Sequence, residues 1–219
     1  TGIKEALADA KEKYGITSCI IMCFLRHLSQ EEAFETLEQA LVFKDDIIGV
    51  GLDSSELGNP PSKFKDVFKK AKEAGFKLVA HAGEEADFSY IYEALDLLNI
   101  NRIDHGVQSI TSPELMQRLK DEQMPLTVCP NSNIELKVFD HYKEHNIKEL
   151  LDYGLNITIN SDDPAYFKGY MNQNFINICE NLPLTEDDVV TLVKNSFNAS
   201  FISDELKAAY LAKVDLALK

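Results

Sequence analysis

The 219 residues carry 36 Asp and Glu against 22 Lys and Arg, a formal charge of −14, and 45% of them are hydrophobic. This balance argues against sequence-independent nucleic-acid binding, where Lys and Arg neutralise phosphates, and against anionic membranes. Apolar runs fall far short of the roughly 20 residues that cross a bilayer. Nothing resembling a linker divides the chain, so one domain over residues 1–219 is expected.

In chain order, residues 1–14 alternate charged and apolar positions at helical spacing and stop at Gly15, so the chain opens in the last part of a helix. A buried strand is predicted at 18–24. A helix at 31–43 follows Ser29 as its cap, and a second strand spans 47–52 and ends in Asp53-Ser54-Ser55-Glu56. A helix over 62–74 precedes a third strand at 77–81, which stops at His81 and runs into Ala82-Gly83-Glu84-Glu85. Next come a helix at 89–98, a strand at 102–105 ending in Asp104-His105-Gly106, and a helix at 112–122 with Pro113 in its first turn. A strand at 126–129 ends in Pro130-Asn131-Ser132-Asn133. After a short helix at 147–153, the last strand spans 156–160 and ends in Ser161-Asp162-Asp163-Pro164. Residues 173–180, 186–197 and 204–218 read as helices.

Strand starts recur every 24 to 31 positions, the period of a βα unit, and the strands are continuous apolar runs. The class is therefore α/β with parallel strands. Five of the six strands end in polar groups and no glycine fingerprint for a phosphate is present, which favours a (β/α)8 TIM-type barrel over an open doubly wound sheet. Such a barrel closes with eight strands. The six visible ones predict an incomplete barrel, the last six βα units plus C-terminal helices, with two strands expected upstream in a longer enzyme.

His81 and Asp162 are suited to a metal as an imidazole and a hard anionic donor at strand ends. Adjacent strand residues face opposite ways, so Asp162 as ligand and Asp163 as substrate acceptor is the economical division. Glu84, in the glycine turn and partly desolvated beside other carboxylates, is expected to have a raised pKa suited to acid–base work, whereas Glu85 reads as a helix-starting carboxylate. His27 is read as structural, His141 and His145 as solvated, and Asn131 and Asn133 as loop anchors. Cys19, Cys23, Cys129 and Cys179 lack redox or zinc spacing and are expected to be reduced core thiols, a cytoplasmic pattern.

In series, His81-Ala82-Gly83-Glu84, Asp104-His105-Gly106, Cys129-Pro130-x-Ser132-Asn133 and Ser161-Asp162-Asp163-Pro164 resemble the adenosine and adenine deaminase family of metal-dependent barrel hydrolases. The resemblance covers essentially the whole chain. It implies His81 and Asp162 as ligands of one zinc, with two more ligands from a His-x-His pair that this chain lacks. It also implies Glu84 as the proton shuttle to the purine ring nitrogen, His105 as the residue orienting the attacking water, and Asp163 as a hydrogen-bond partner of the purine. Gly83 and Glu56 join Asp163 as expected substrate-binding residues. Glu56 is placed to accept the N–H that free adenine carries where a nucleoside carries ribose, so deamination of adenine to hypoxanthine is the expected reaction. Adenosine deamination and a purine-binding fragment without chemistry are the alternatives.

Overall fold

The computed structural model describes residues 2–218. Its centre is one six-stranded sheet in the order β1-β2-β3-β4-β5-β6. These are β1 (Ile20–Leu25), β2 (Ile47–Asp53), β3 (Lys77–Ala82), β4 (Arg102–His105), β5 (Leu126–Val128) and β6 (Ile157–Ile159). Every neighbouring pair is parallel. Sequential order with all strands parallel is the arc of a (β/α)8 barrel, with β1 and β6 as its two edges. All polar strand ends consequently lie on one rim.

The helices are α1 (Gly2–Tyr14), α2 (Gln30–Leu41), α3 (Lys65–Glu73), α4 (Phe88–Glu93), α5 (Pro113–Glu122), α6 (Pro130–Glu135), α7 (Ile147–Tyr153), α8 (Met171–Asn181), α9 (Glu186–Ala199) and α10 (Asp204–Ala217). Ser29 caps α2 as expected: its hydroxyl accepts from Glu32 N while Glu32 Oε2 accepts from Ser29 N, a reciprocal box stabilising the helix by about 1 kcal/mol. Val67, Phe68 and Ala71 of α3 are fully buried, and Phe68 meets Phe24 of β1 edge-on at 5.8 Å between ring centroids. One core runs beneath the whole sheet, through Val50, Leu78, Ile103, Leu126 and Ile157.

The structure revises several expectations. Residue 1 of the opening helix, and residue 219 of the expected domain, lie outside the described residues. The helix at 62–74 divides into a 3-10 turn (Pro61–Phe64) and α3. The helix at 89–98 becomes α4 followed by a π-turn (Ala94–Leu98), which buries Ala94, Leu95 and Leu98 together. The stretch after β5 is helix α6 with Pro130 in its first turn, not a loop. Its Asn131, Ser132 and Asn133 are all buried, so the polar composition conceals a helix held by side-chain hydrogen bonds rather than by apolar periodicity. Nor are the four cysteines uniformly core thiols: Cys129 is buried and Cys23 partly so, but Cys19 lies just ahead of β1 and is exposed, as is Cys179. All four are free. Among the described residues no helix is long and apolar enough to cross a membrane.

Candidate active site

The register of β3 on β4 pairs His81 with Asp104 and Ala82 with His105, so the two histidines leave the sheet side by side. Their rings meet edge to face, centroids 4.6 Å apart. Arg26, fully buried at the end of β1, secures this corner by donating from Nη1 to the carbonyl of His81 at 2.7 Å and from Nε to that of Asn59 at 2.9 Å. Glu84 approaches both histidines: its Oε1 is 3.2 Å from His105 Nδ1 and its Oε2 is 4.0 Å from His81 Nδ1. Asp162, beyond β6, completes the group with Oδ2 4.0 Å from His105 Nε2. His105 and Asp162 hold φ angles of +68° and +55°, a region few non-glycine residues adopt. Backbone strain of this kind clusters at functional sites, and here it falls on two residues of one rim.

The turn carrying Glu84 is built by Glu56. Glu56 Oε1 accepts from Gly83 N at 2.6 Å, and Oε2 accepts from the amides of Glu84, Glu85 and Ala86 at 3.0, 2.8 and 3.0 Å. Three of the four amides share Oε2 and one holds Oε1, so the carboxylate faces the backbone of the turn with both oxygens. Glu56, expected to bind substrate, is only 1% exposed, and both its oxygens are engaged in holding the turn that carries Glu84. Gly83 also serves the turn. At φ +66° its amide is committed to Glu56 and its carbonyl to Gln108 N, and an added Cβ would stand 2.5 Å from Ile91 Cδ1.

Burial sets the electrostatics. Loss of solvent, reinforced by the charges of Asp162 and Glu56, pushes the Glu84 carboxyl up to about 8, so it holds a proton at neutral pH. His105, 2% exposed, is held well below the usual imidazole value by burial and by neighbouring His81. The Cys129 thiol is driven up by burial and by the charge of Asp162.

Two residues that the sequence left in the background belong to this site. Asn133 Nδ2 donates to Glu84 Oε1 at 3.2 Å, and its Oδ1 lies 3.2 Å from Nε2 of His145. His145 is not solvated. It is 3% exposed, stacked on Phe139 at 4.4 Å between centroids, and burial lowers its pKa to about 3. Asn131 fastens the same helix to α8, its amide donating to Asn174 Oδ1 and its Oδ1 accepting from Tyr142 and Asn177. His27 stays on the exposed rim, with Nδ1 2.8 Å from Ser54 Oγ.

His81 and Asp162 line two adjoining cavities. One, of about 240 Å³, opens into the barrel between Arg102, Asp104, Thr127 and Asn160; the other, of about 490 Å³, is walled by Ser54, Ser55, Leu136, Tyr166 and Phe167 and also touches Glu84. Asp163 is exposed on the following turn, where Oδ1 accepts from Ala165 N and Tyr166 N. Two donor triads, His81–Glu84–His105 and His105–Cys129–Asp162, each hold their ligand atoms within 4.8 Å of one another and share His105. Imidazole nitrogen with carboxylate oxygen fits a borderline divalent cation such as zinc.

A parallel arc gathering His, Glu and Asp at one rim, with donor atoms spaced for a metal, is the design of a barrel hydrolase. Comparison with known proteins makes the class specific: the adenosine deaminase family profile matches residues 1–217, and the chain belongs to that family. It is 88% identical over 218 residues to the adenine deaminase of Psychrobacter cryohalolentis, covering all of this chain and 66% of that relative. The crystal structure of adenine deaminase from Arthrobacter aurescens superposes with a TM-score of 0.96 at 46% identity, over 99% of this chain and 66% of that one. An amidohydrolase from Burkhoderia ambifaria with bound Zn superposes at 0.92 with 27% identity, over 98% of this chain and 60% of that one. The chain thus spans 60% to 66% of the length of these relatives.

Proposed function

We propose that these residues form the greater part of a zinc-dependent adenine aminohydrolase, converting adenine and water to hypoxanthine and ammonia. The observation that carries this reading is the convergence of His81, Glu84, His105 and Asp162 on one rim of a chain 88% identical to an adenine deaminase. His81 and Asp162 are the residues that would hold zinc, with further ligands from outside this sequence. When bound, zinc supplies the Lewis acidity that makes a water nucleophilic at neutral pH.

The chain's own residues supply the proton traffic. Glu84, whose hold on a proton is strengthened by burial, gives that proton to the ring nitrogen beside the amino-bearing carbon and makes that carbon electrophilic. It takes one proton from the attacking water and passes it to the departing amine, then takes back the second from the oxygen as that becomes the product carbonyl, so Glu84 ends protonated as it began and the carbon–oxygen bond formed balances the carbon–nitrogen bond lost. His105, buried and uncharged, orients the water from its place between Glu84 and Asp162. Asp163 accepts a purine N–H at Oδ2, its Oδ1 being held by the turn. Residues 1–219 act as one partial barrel domain with a small purine as partner. The reaction belongs in the cytoplasm, where four free cysteines stay reduced.

The test is zinc content and hypoxanthine formation in the full-length protein that carries this sequence, with adenine and adenosine compared at equal concentration. Stoichiometric zinc and turnover of adenine in preference to adenosine are expected. A metal-free, inert protein would remove the catalytic reading, and preference for adenosine would move the substrate to the nucleoside.

A further inference from the structure

Glu84 touches a polar chain that leads away from the rim. Its Oε1 accepts from Asn133 Nδ2 at 3.2 Å, and Asn133 Oδ1 lies 3.2 Å from His145 Nε2. Asn133 is fully buried and His145 nearly so, and they come from α6 and from the segment just before α7. The bonding is directional. An amide oxygen only accepts, so Nε2 of His145 carries the ring proton, and this orientation turns the Asn133 NH2 toward Glu84. The opposite tautomer would leave a buried N–H at Nδ1, an atom without a protein partner among the described residues. Stacking on Phe139 fixes the plane of the imidazole.

We propose that Asn133 and His145 are positioning residues: His145 locks the Asn133 amide, whose donation to Oε1 leaves the transferable proton of Glu84 on Oε2. This rests on the deaminase reading above. Oε2 has no hydrogen-bond partner among the described residues and lies 4.0 Å from His81 Nδ1. In the step concerned, the O–H bond at Oε2 breaks as the N–H bond forms on the purine ring. A carboxyl free to turn would offer its proton from either oxygen, and misplacement of the donor is costly where orientation carries much of the rate.

The test compares His145→Phe, which keeps the stack but cannot donate, with His145→Gln, whose amide can donate to Asn133, in the full-length zinc-loaded enzyme. His145→Phe is expected to lower kcat about tenfold with KM for adenine and zinc content unchanged, and His145→Gln to recover most of that loss. Asn133→Asp, which replaces the donor with an acceptor, is expected to cost more. Equal kcat in the Phe and Gln variants, or no loss in Phe, would overturn the pairing while leaving the deaminase reading intact. An unmodified enzyme that leaves adenine untouched would overturn that reading, and with it the role of the pair. A readout independent of turnover is the 15N spectrum of the His145 ring: a proton on Nε2 supports the lock, and a proton on Nδ1 refutes it even if a variant fails to fold.

Discussion

Glu56 and Glu84 are joined through the backbone: Oε2 of Glu56 accepts the amide proton of Glu84 at 3.0 Å, so a buried carboxylate sets the position of a second carboxyl by holding its main chain. The same two oxygens hold Gly83, Glu85 and Ala86. Removing them strands four amides in a buried turn. Glu56→Ala is expected to destabilise the protein by ~3 kcal/mol or more, read from urea unfolding, and to lower adenine turnover through a displaced Glu84. A Glu56→Ala protein of unchanged stability would show that the turn holds itself.

Gly83 gives a sharper test of the same turn. Gly83→Ala forces a side chain into positive φ and against Ile91, and is expected to cost about 2 kcal/mol. Adding Ile91→Ala relieves the contact at 2.5 Å but not the backbone strain, so the double variant should show less than the sum of the two single losses. Strict additivity in melting experiments would mean that the contact does not matter.

Glu84 is held neutral at a cost that depends on pH. Its carboxyl titrates near 8 in the folded chain and near its ordinary value when unfolded, so the folded state binds the extra proton between the two. The contribution to stability is complete below about 4.5 and is lost as pH rises through 8. Glu84→Gln, which does not ionise, should melt higher than the parent at pH 8 and alike at pH 4, while losing turnover. The comparison is made without metal, because a bound dication favours the ionised carboxylate.

His145 behaves in the opposite sense. With its pKa lowered to about 3, the folded chain refuses a proton that the unfolded chain accepts near 6.5. The stability it contributes is present above 6.5 and falls by about 1.4 kcal/mol per pH unit as pH drops toward 3. His145→Gln should flatten that acid limb. Parallel acid-unfolding curves for parent and variant would contradict the burial.

Asp162 sits at φ +55°, where asparagine is tolerated and a β-branched residue is not. Asp162→Asn is expected to keep the fold and lose zinc, whereas Asp162→Val should lose both, as followed by circular dichroism and metal analysis of the full-length protein.

Much of this molecule was legible in its linear order. Parallel strands buried on both faces are continuous apolar runs, and each run ends where the chain leaves the core, so His81, His105 and Asp162 announced themselves by position. Ser29 and Pro113 marked helix starts because capping is a local hydrogen-bonding problem solved within four residues. The polar helix α6 escaped detection because it is held by Asn174, Tyr142 and Asn177, up to 46 positions away.

The chain's sequence by itself determined the βα repeat, the rim and the residue types gathered there, because periodicity and burial are properties of single strands and helices. Only the tertiary structure decided what those residues do to one another. It bound Glu56 to four backbone amides of the Glu84 turn, and carried His145 from an apparently solvated stretch into the core behind Glu84. Both outcomes depend on the direction of a lone pair or an N–H across elements far apart in sequence, and no local pattern encodes that direction.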